Sequence, residues 1–228
     1  RRVFLADGDA MVLPTRRLLE ILGQLREAFP DLQRVSSYCL PRNLAKKTVE
    51  ELAQLKEAGL QILYVGMESG DDEILRRVNK GETWESTRSA LLKIREAGLT
   101  SSVMVLNGLG GESLSRQHAI NTATLCNETQ PDYLSTLVVS FPQGEERFRE
   151  GFGDDFVPLS QQGLFEEIRL FLEHLDLDKT IFRSDHASNY LVLKGTLGRD
   201  KQKMLDQVHL AITNPGAAPL RAEWMRGL

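Results

Sequence analysis

Short polar, acidic and glycine residues recur in this chain directly after apolar runs, and in parallel α/β proteins those places carry the chemistry. Asp7-Gly8-Asp9 follows the run from Val3 to Ala6, and Ser36-Ser37-Tyr38 closes the run from Gln33. Gly66-Met67-Glu68-Ser69-Gly70 follows Gln61 to Val65. Asn107-Gly108-Leu109-Gly110-Gly111-Glu112 follows Thr100 to Leu106, and Val139-Ser140-Phe141 closes the run from Tyr133. Glycine lets a ligand approach the backbone closely. Carboxylates in such positions suit amines, ribose hydroxyls or a metal. Each feature also has a plainer reading: a glycine after a strand is a turn, and an aspartate is a helix cap, as expected for Asp71 and Asp72. The Asn107 to Gly111 run lacks the lysine of a Walker loop and the spacing of a Rossmann fingerprint. The functional reading rests on all of these runs placing such residues on one rim.

The elements that must position them alternate. Apolar runs begin at Val3, Gln33, Gln61, Thr100 and Tyr133. Between them lie helical spacings: Leu18, Leu19, Leu22, Leu25 and Phe29 on one face, then Val49, Leu52, Ala53 and Leu55 on the next. Further helices are expected over 71–78, 83–97 and 114–129. Leu55-Lys56-Glu57-Ala58-Gly59-Leu60 is echoed by Ile94-Arg95-Glu96-Ala97-Gly98-Leu99. Both read as a helix end, a left-handed glycine stop and entry into a buried strand. Two such junctions, with strand starts roughly every 30 residues, argue for βα units and a parallel sheet with helices outside. Periodicity does not decide between a barrel and an open doubly wound sheet.

After about Phe141 the character changes. Pro142-Gln143-Gly144 reads as a turn, and 145–155 as a charged, solvated loop. An amphipathic helix is expected over 161–175, an irregular segment over 180–189, a short strand over 190–193 and a last helix over 200–212. The division expected is a barrel over residues 1–145 and a helical extension packing on it over 146–228.

The chain has 228 residues, 41% hydrophobic and 26% charged, enough for one sizeable α/β core. A formal net charge of −4 does not indicate a surface for duplex nucleic acid. No apolar run reaches membrane-span length, no signal peptide opens the chain, and the two cysteines, Cys39 and Cys126, carry no secretory context. A cytoplasmic protein with reduced thiols is expected, with no membrane partner. Because the chain opens on Arg1-Arg2 and then a buried strand, a further upstream segment is also expected.

The ordered set of strand-end motifs resembles the radical S-adenosylmethionine (SAM) superfamily. Phe4-Leu5-Ala6-Asp7-Gly8-Asp9-Ala10 is similar to the family's second-strand motif, which meets the amino group of SAM. Tyr64 to Gly70, followed by Ile74-Leu75-Arg76-Arg77-Val78-Asn79-Lys80-Gly81, resembles the fourth-strand region of the methylthiotransferases and the oxygen-independent coproporphyrinogen oxidases. Gly108-Leu109-Gly110-Gly111-Glu112 resembles their fifth-strand turn, and Tyr133 to Gly144 the sixth strand and its proline-glycine exit. The resemblance covers roughly residues 2 to 145 and implies a partial, TIM-like parallel (β/α) barrel. It implies SAM and a [4Fe–4S] cluster as cofactors, with SAM cleaved reductively to a 5′-deoxyadenosyl radical. It also implies SAM contacts at Gly8, Asp9, Ser36, Glu68, Asn107, Gly108, Val138 and Ser140, converging on one cavity at the strand ends. Catalytic residues and substrate are not implied.

The family holds its cluster with a Cys-x3-Cys-x2-Cys loop, and Cys39 and Cys126 cannot make one. No metal ligands are therefore assigned. His118, His174 and His209 fall on expected helices without a companion at ligand spacing. The Asp185-His186-Ala187-Ser188-Asn189 segment reads as a structural brace that could hydrogen-bond into a rim. Two other functions remain open. One is a metal-dependent aldolase- or isomerase-like barrel, with Asp7, Asp9 and Glu68 around a divalent cation. The other is a degenerate barrel acting as a binding module.

Overall fold

Amphipathic spacing and capping chemistry decide where each helix starts. In the computed structural model, which describes residues 1–141 and 144–227, the first strand β1 (Arg2–Leu5) leads into α1 (Thr15–Ala28) and β2 (Arg34–Cys39). Next come α2 (Pro41–Leu44), α3 (Val49–Glu57) and β3 (Leu60–Glu68). Thr48 and Glu51 form a reciprocal capping box at the start of α3. Asp71 caps α4 (Asp72–Arg77) by accepting from the Ile74 amide at 3.0 Å. Then follow α5 (Trp84–Glu96), β4 (Thr100–Asn107), α6 (Gly111–Thr129) and β5 (Tyr133–Val138). The remainder holds α7 (Glu146–Phe152), α8 (Gln161–His174), β6 (Ile181–Ser184), β7 (Leu193–Thr196) and α9 (Leu197–Thr213). Gly59 and Gly98 both sit at positive φ, +114° and +71°, so the two echoed junctions are the left-handed helix stops expected.

The strands form one seven-stranded sheet in the order β1-β2-β3-β4-β5-β6-β7, mostly parallel and not closed. Strand β6 pairs with β7 in antiparallel. Two compact units divide the chain. In the first, residues 1–66 and 85–103, β1, β2 and β3 run parallel, with Phe4 opposite Ser36 and Ser36 opposite Ile62. Its core gathers Leu18 and Leu22 of α1, Leu52 and Leu55 of α3, and Val35, Leu63 and Val65. Full burial of each such side chain contributes about 1.5–3 kcal/mol. In the second, residues 67–84 and 104–228, Ala123, Leu134, Ile168, Phe182 and Met204 are buried.

Three expectations are corrected. Residues 181–184 are a strand and not irregular, because β6 pairs in parallel with Tyr133, Leu134 and Ser135. A four-residue strand has too short a pattern to announce itself, and the pairing partner supplies what local sequence does not. The strand expected at 190–193 lies at 193–196. The charged stretch after Gly144 contains α7, held by a cluster of Phe141, Phe148, Phe152 and Phe156 with ring centroids 4.6–6.0 Å apart. Those aromatics stand among charges that mask their spacing. Pro142 and Gln143 of the expected turn lie outside the described residues. Among the described residues, no helix is long and apolar enough to cross a membrane.

Candidate functional site

In the first unit the chain leaves β1 through two residues at positive φ, Asp7 at +61° and Gly8 at +120°. A side chain added at Gly8 would meet nothing within 4 Å, so this backbone turn is open. Asp9 follows, and both of its oxygens are occupied. Oδ1 accepts from the Met11 amide at 2.7 Å, and Oδ2 accepts from the Leu40 amide at 2.6 Å and from Asn43 Nδ2 at 2.7 Å. These short, charge-assisted bonds tie the exit of β1 to the exit of β2. Lys47 lies just below: its ammonium donates to the Leu13 carbonyl at 2.7 Å, and burial holds its pKa under the usual lysine range against the pull of Glu51 and Asp9. Ser36 is buried in β2, and strand alternation puts it on the same face as Tyr38. That face carries an aromatic trio, Phe4, Tyr38 and Tyr64, with centroids 4.8–6.3 Å apart.

In the second unit Glu68 ends β3 at φ +59°, a left-handed residue that turns the chain sharply. Its carboxylate pairs with Lys80 at 2.8 Å, both side chains about one-fifth exposed. The next residues are locked from α6. Ser69 Oγ meets His118 Nδ1 at 2.8 Å, the Gly70 amide donates to Thr122 Oγ1 at 2.8 Å, and Asp71 accepts from Gln117 and Asn121. At the exit of β4 the Gly108 amide donates to Glu167 Oε1 at 2.6 Å. Asn107 and Val138 line a cavity of about 20 Å³ with Leu164, Phe165, Ser184 and Asn189. That volume accommodates a single water molecule and not a nucleoside. The Val138 amide is taken by Ser188 Oγ at 3.1 Å and Asn189 Oδ1 at 2.9 Å, so only its carbonyl and side chain are left to face a ligand. Ser140 lies half-buried just beyond β5.

The rim glycines divide by cause. A Cβ at Gly70 would lie 2.6 Å from the Thr122 backbone, one at Gly110 2.9 Å from Ile74, and one at Gly111 2.8 Å from the Val157 carbonyl. A Cβ at Gly108 would crowd Leu164 and Val139 at 3.1 and 3.3 Å. Close packing against the protein itself therefore accounts for these four. Gly8 alone among the rim glycines named faces open space while its backbone still needs φ +120°.

The thiols do not fit an iron–sulfur cluster. Cys39 and Cys126 are both buried, and burial pushes the Cys126 thiol up to about 12, so it does not supply a thiolate. Among the described residues no three His, Cys, Asp or Glu side chains are grouped so as to hold a metal ion.

Sequence reasoning passed over Glu167, although a signal existed. It lies on the same face of α8 as Leu164, Ile168 and Phe171, a charge set in an apolar stripe. His118 is buried packing, as its lack of a companion suggests, but packing that is hydrogen-bonded at both ring nitrogens.

Comparison with known proteins gives consistent relatives. The chain is 24% identical over 125 residues to the heme chaperone HemW of Bacillus subtilis, covering 54% of this chain and 33% of HemW. It is 27% identical over 135 residues to a probable threonylcarbamoyladenosine tRNA methylthiotransferase of Methanocaldococcus jannaschii, covering 58% of this chain and 30% of that protein. The chain thus matches about a third of the length of these curated relatives. Among solved structures, an archaeal Elp3 from Methanocaldococcus infernus superposes with a TM-score of 0.63 at 14% identity, over 92% of this chain and 54% of that one. The coproporphyrinogen III oxidase HemN of Escherichia coli superposes with a TM-score of 0.61 at 21% identity, over 75% and 40%. At such identities the superpositions speak for the fold, an open, mostly parallel barrel-like sheet. The sequence profile of the radical SAM superfamily matches residues 1–123, more than half of the 228, and the chain belongs to the radical SAM superfamily.

Proposed function

We propose that this chain carries the SAM-recognising strand ends of a radical SAM enzyme, whose iron–sulfur cluster takes its cysteines from outside these 228 residues. The general reaction of the superfamily is reductive cleavage of SAM to a 5′-deoxyadenosyl radical; the substrate is not assigned. The observation that carries the reading is the family match over residues 1–123, which spans the exits of β1 to β4 in order. The open backbone at Gly8 supports a role as the close-approach point for the methionine amine. Glu68 offers a carboxylate to an amine or a ribose hydroxyl. The backbone and side chains at Asn107, Gly108, Val138 and Ser140 are proposed for the adenosyl side. Asp9 orients the Gly8 turn, since its oxygens are already engaged by three donors. Ser36 is retained as a contact on the aromatic face of β2. Small molecules, and not duplex nucleic acid or membrane, are the partners this reading calls for.

The same geometry disfavours a divalent-cation barrel. Both oxygens of the Asp9 carboxylate already accept from two backbone amides and an asparagine, which compete with a cation for them.

Reconstitution tests the reading. The purified chain, incubated with iron and sulfide, is expected to take up no cluster and to show no absorbance band at about 400 nm. SAM binding measured by calorimetry is expected to be on the order of millimolar or weaker. A few hydrogen bonds of about 1 kcal/mol each do not offset association costs of several kcal/mol without the iron chelate. Adding a βα unit with Cys-x3-Cys-x2-Cys ahead of Arg1 is expected to recover both cluster and affinity. If it recovers neither, the radical SAM function of this chain is refuted.

A further inference from the structure

The exits of β3 and β4 are joined by one buried polar chain, and one of its members comes from outside the segment that matches the family profile. Gly108 donates its amide to Glu167 Oε1 at 2.6 Å, and the Ser115 hydroxyl of α6 donates to Oε2 at 2.6 Å. Glu167, in the middle of α8, is 3% exposed. His118 continues the chain. Its Nε2 faces the Leu106 carbonyl at 3.0 Å, and because a carbonyl only accepts, Nε2 carries the proton. Nδ1 meets Ser69 Oγ at 2.8 Å, and Ser69 Oγ accepts from the Asp71 amide at 3.0 Å. His118 Nε2 lies 4.0 Å from Glu167 Oε1. Beyond the pairing of β3 with β4 in the sheet, His118 thereby ties the backbone beside Glu68 to the end of β4 at Leu106.

Resting on the SAM reading above, we propose that Glu167 is a positioning residue for the cofactor-binding rim: α8 holds the β4 exit turn in its binding geometry through this carboxylate, with His118 linking that turn to the β3 exit. The physical reason is a balance of costs. A carboxylate is expensive to bury, and here every oxygen meets a short donor. The turn has φ +83° at Gly108, and its amide is held by the Glu167 side chain. A neutral acceptor would hold that amide less firmly, and a turn that wanders forfeits affinity through the ordering it must undergo on binding.

The test uses the full chain and S-adenosylhomocysteine as the probe, with affinity read by ligand-observed NMR. Glu167→Gln keeps an acceptor for Gly108 and presents an amide to Ser115 Oγ, which can accept, so the fold is retained. Its Gly108 amide is expected to exchange about tenfold faster, and the probe to bind about tenfold more weakly. Ser115→Ala leaves the Gly108 bond in place and is expected to lower the melting temperature without changing probe affinity. Glu167→Ala strands a buried amide and a part-buried hydroxyl and is expected to lose more than Glu167→Gln, which therefore acts as the partial rescue. If Glu167→Gln binds the probe as the wild type does, Glu167 merely docks α8 and the inference fails. If neither the wild type nor the form extended by the Cys-x3-Cys-x2-Cys unit binds an adenosyl compound, the SAM reading has failed and the inference falls with it; the two failures appear in different proteins.

Discussion

Asp9 shows how a residue chosen for ligand chemistry can be held by backbone chemistry instead. Its carboxylate satisfies amides from two strand exits and one asparagine. Asp9→Ala is expected to destabilise the chain by about 3 kcal/mol, because charge-assisted bonds are lost and part-buried donors are left without acceptors. Urea denaturation reads this directly, and a cost below about 1 kcal/mol contradicts the bracing role. Cys126 supplies a pH-dependent prediction. Its thiol rises from 9.0 to about 12 on folding because burial disfavours the thiolate. The unfolded chain therefore releases this proton at a lower pH than the folded one. The stability it contributes is fully present below pH 9.0 and falls as pH rises towards about 12. The slope reaches at most ~1.4 kcal/mol per pH unit. A Cys126→Ala variant is expected to lose that component of the alkaline slope, and the wild-type thiol is expected to resist alkylation at neutral pH until the chain unfolds. Fast alkylation of the folded protein at Cys126 contradicts its placement.

At the scale of elements, the glycines after the strands separate packing from opening. Gly70 lets the β3 exit lie against α6, where an added Cβ would sit 2.6–2.9 Å from backbone atoms of Asn121 and Thr122. Backbone atoms cannot rotate aside, so Gly70→Ala is expected to cost about 3 kcal/mol or more, by pushing helix and strand end apart. Gly8→Ala meets no neighbour and is expected to cost about 1–3 kcal/mol, from backbone strain at positive φ alone. Thermal unfolding of both variants checks the order. If Gly8→Ala is the worse of the two, the open turn is misplaced. Gly8→Ala is also the substitution in this pair expected to disturb an adenosyl ligand directly.

For the molecule as a whole, the C-terminal tail matters more than its composition suggests. Arg221 donates to the carbonyls of Asp185, His186 and Asn189, with the Asn189 contact at 3.1 Å and the Asp185 contact at 3.0 Å. Arg226 donates to the Ser188 carbonyl at 2.8 Å and lies over the Tyr190 ring at 3.7 Å. Asn189 in turn bonds the Thr136 carbonyl and the Val138 amide. The tail thus holds the loop between β6 and β7, which in turn bonds the end of β5. Arg221→Ala is expected to destabilise by about 2 kcal/mol and to speed amide exchange at Val138, measured by hydrogen–deuterium exchange. Unchanged exchange at Val138 would show that the loop stands without its clamp.

The alternation of strands and helices, the two glycine stops and the order of the strand-end motifs were legible in the sequence, because each is written locally: periodicity, caps and turn residues act within a few positions. The order of those motifs carried the resemblance to the family, and the resemblance implied the partial parallel barrel. The want of cluster ligands was equally plain, since thiolates can be counted. What no local pattern contained was the use made of each polar group. Asp9 and Gly108 look alike as rim residues, yet one is consumed by donors from the exit of β2 and from α2 and the other is pinned by a glutamate 59 positions later. The strand β6, the helix α7 and the hold of Arg221 on the Asp185–Asn189 loop also depend on partners remote in sequence. A hydrogen bond or a strand pairing is specified by both partners at once, and only the tertiary structure brings the second one into reach.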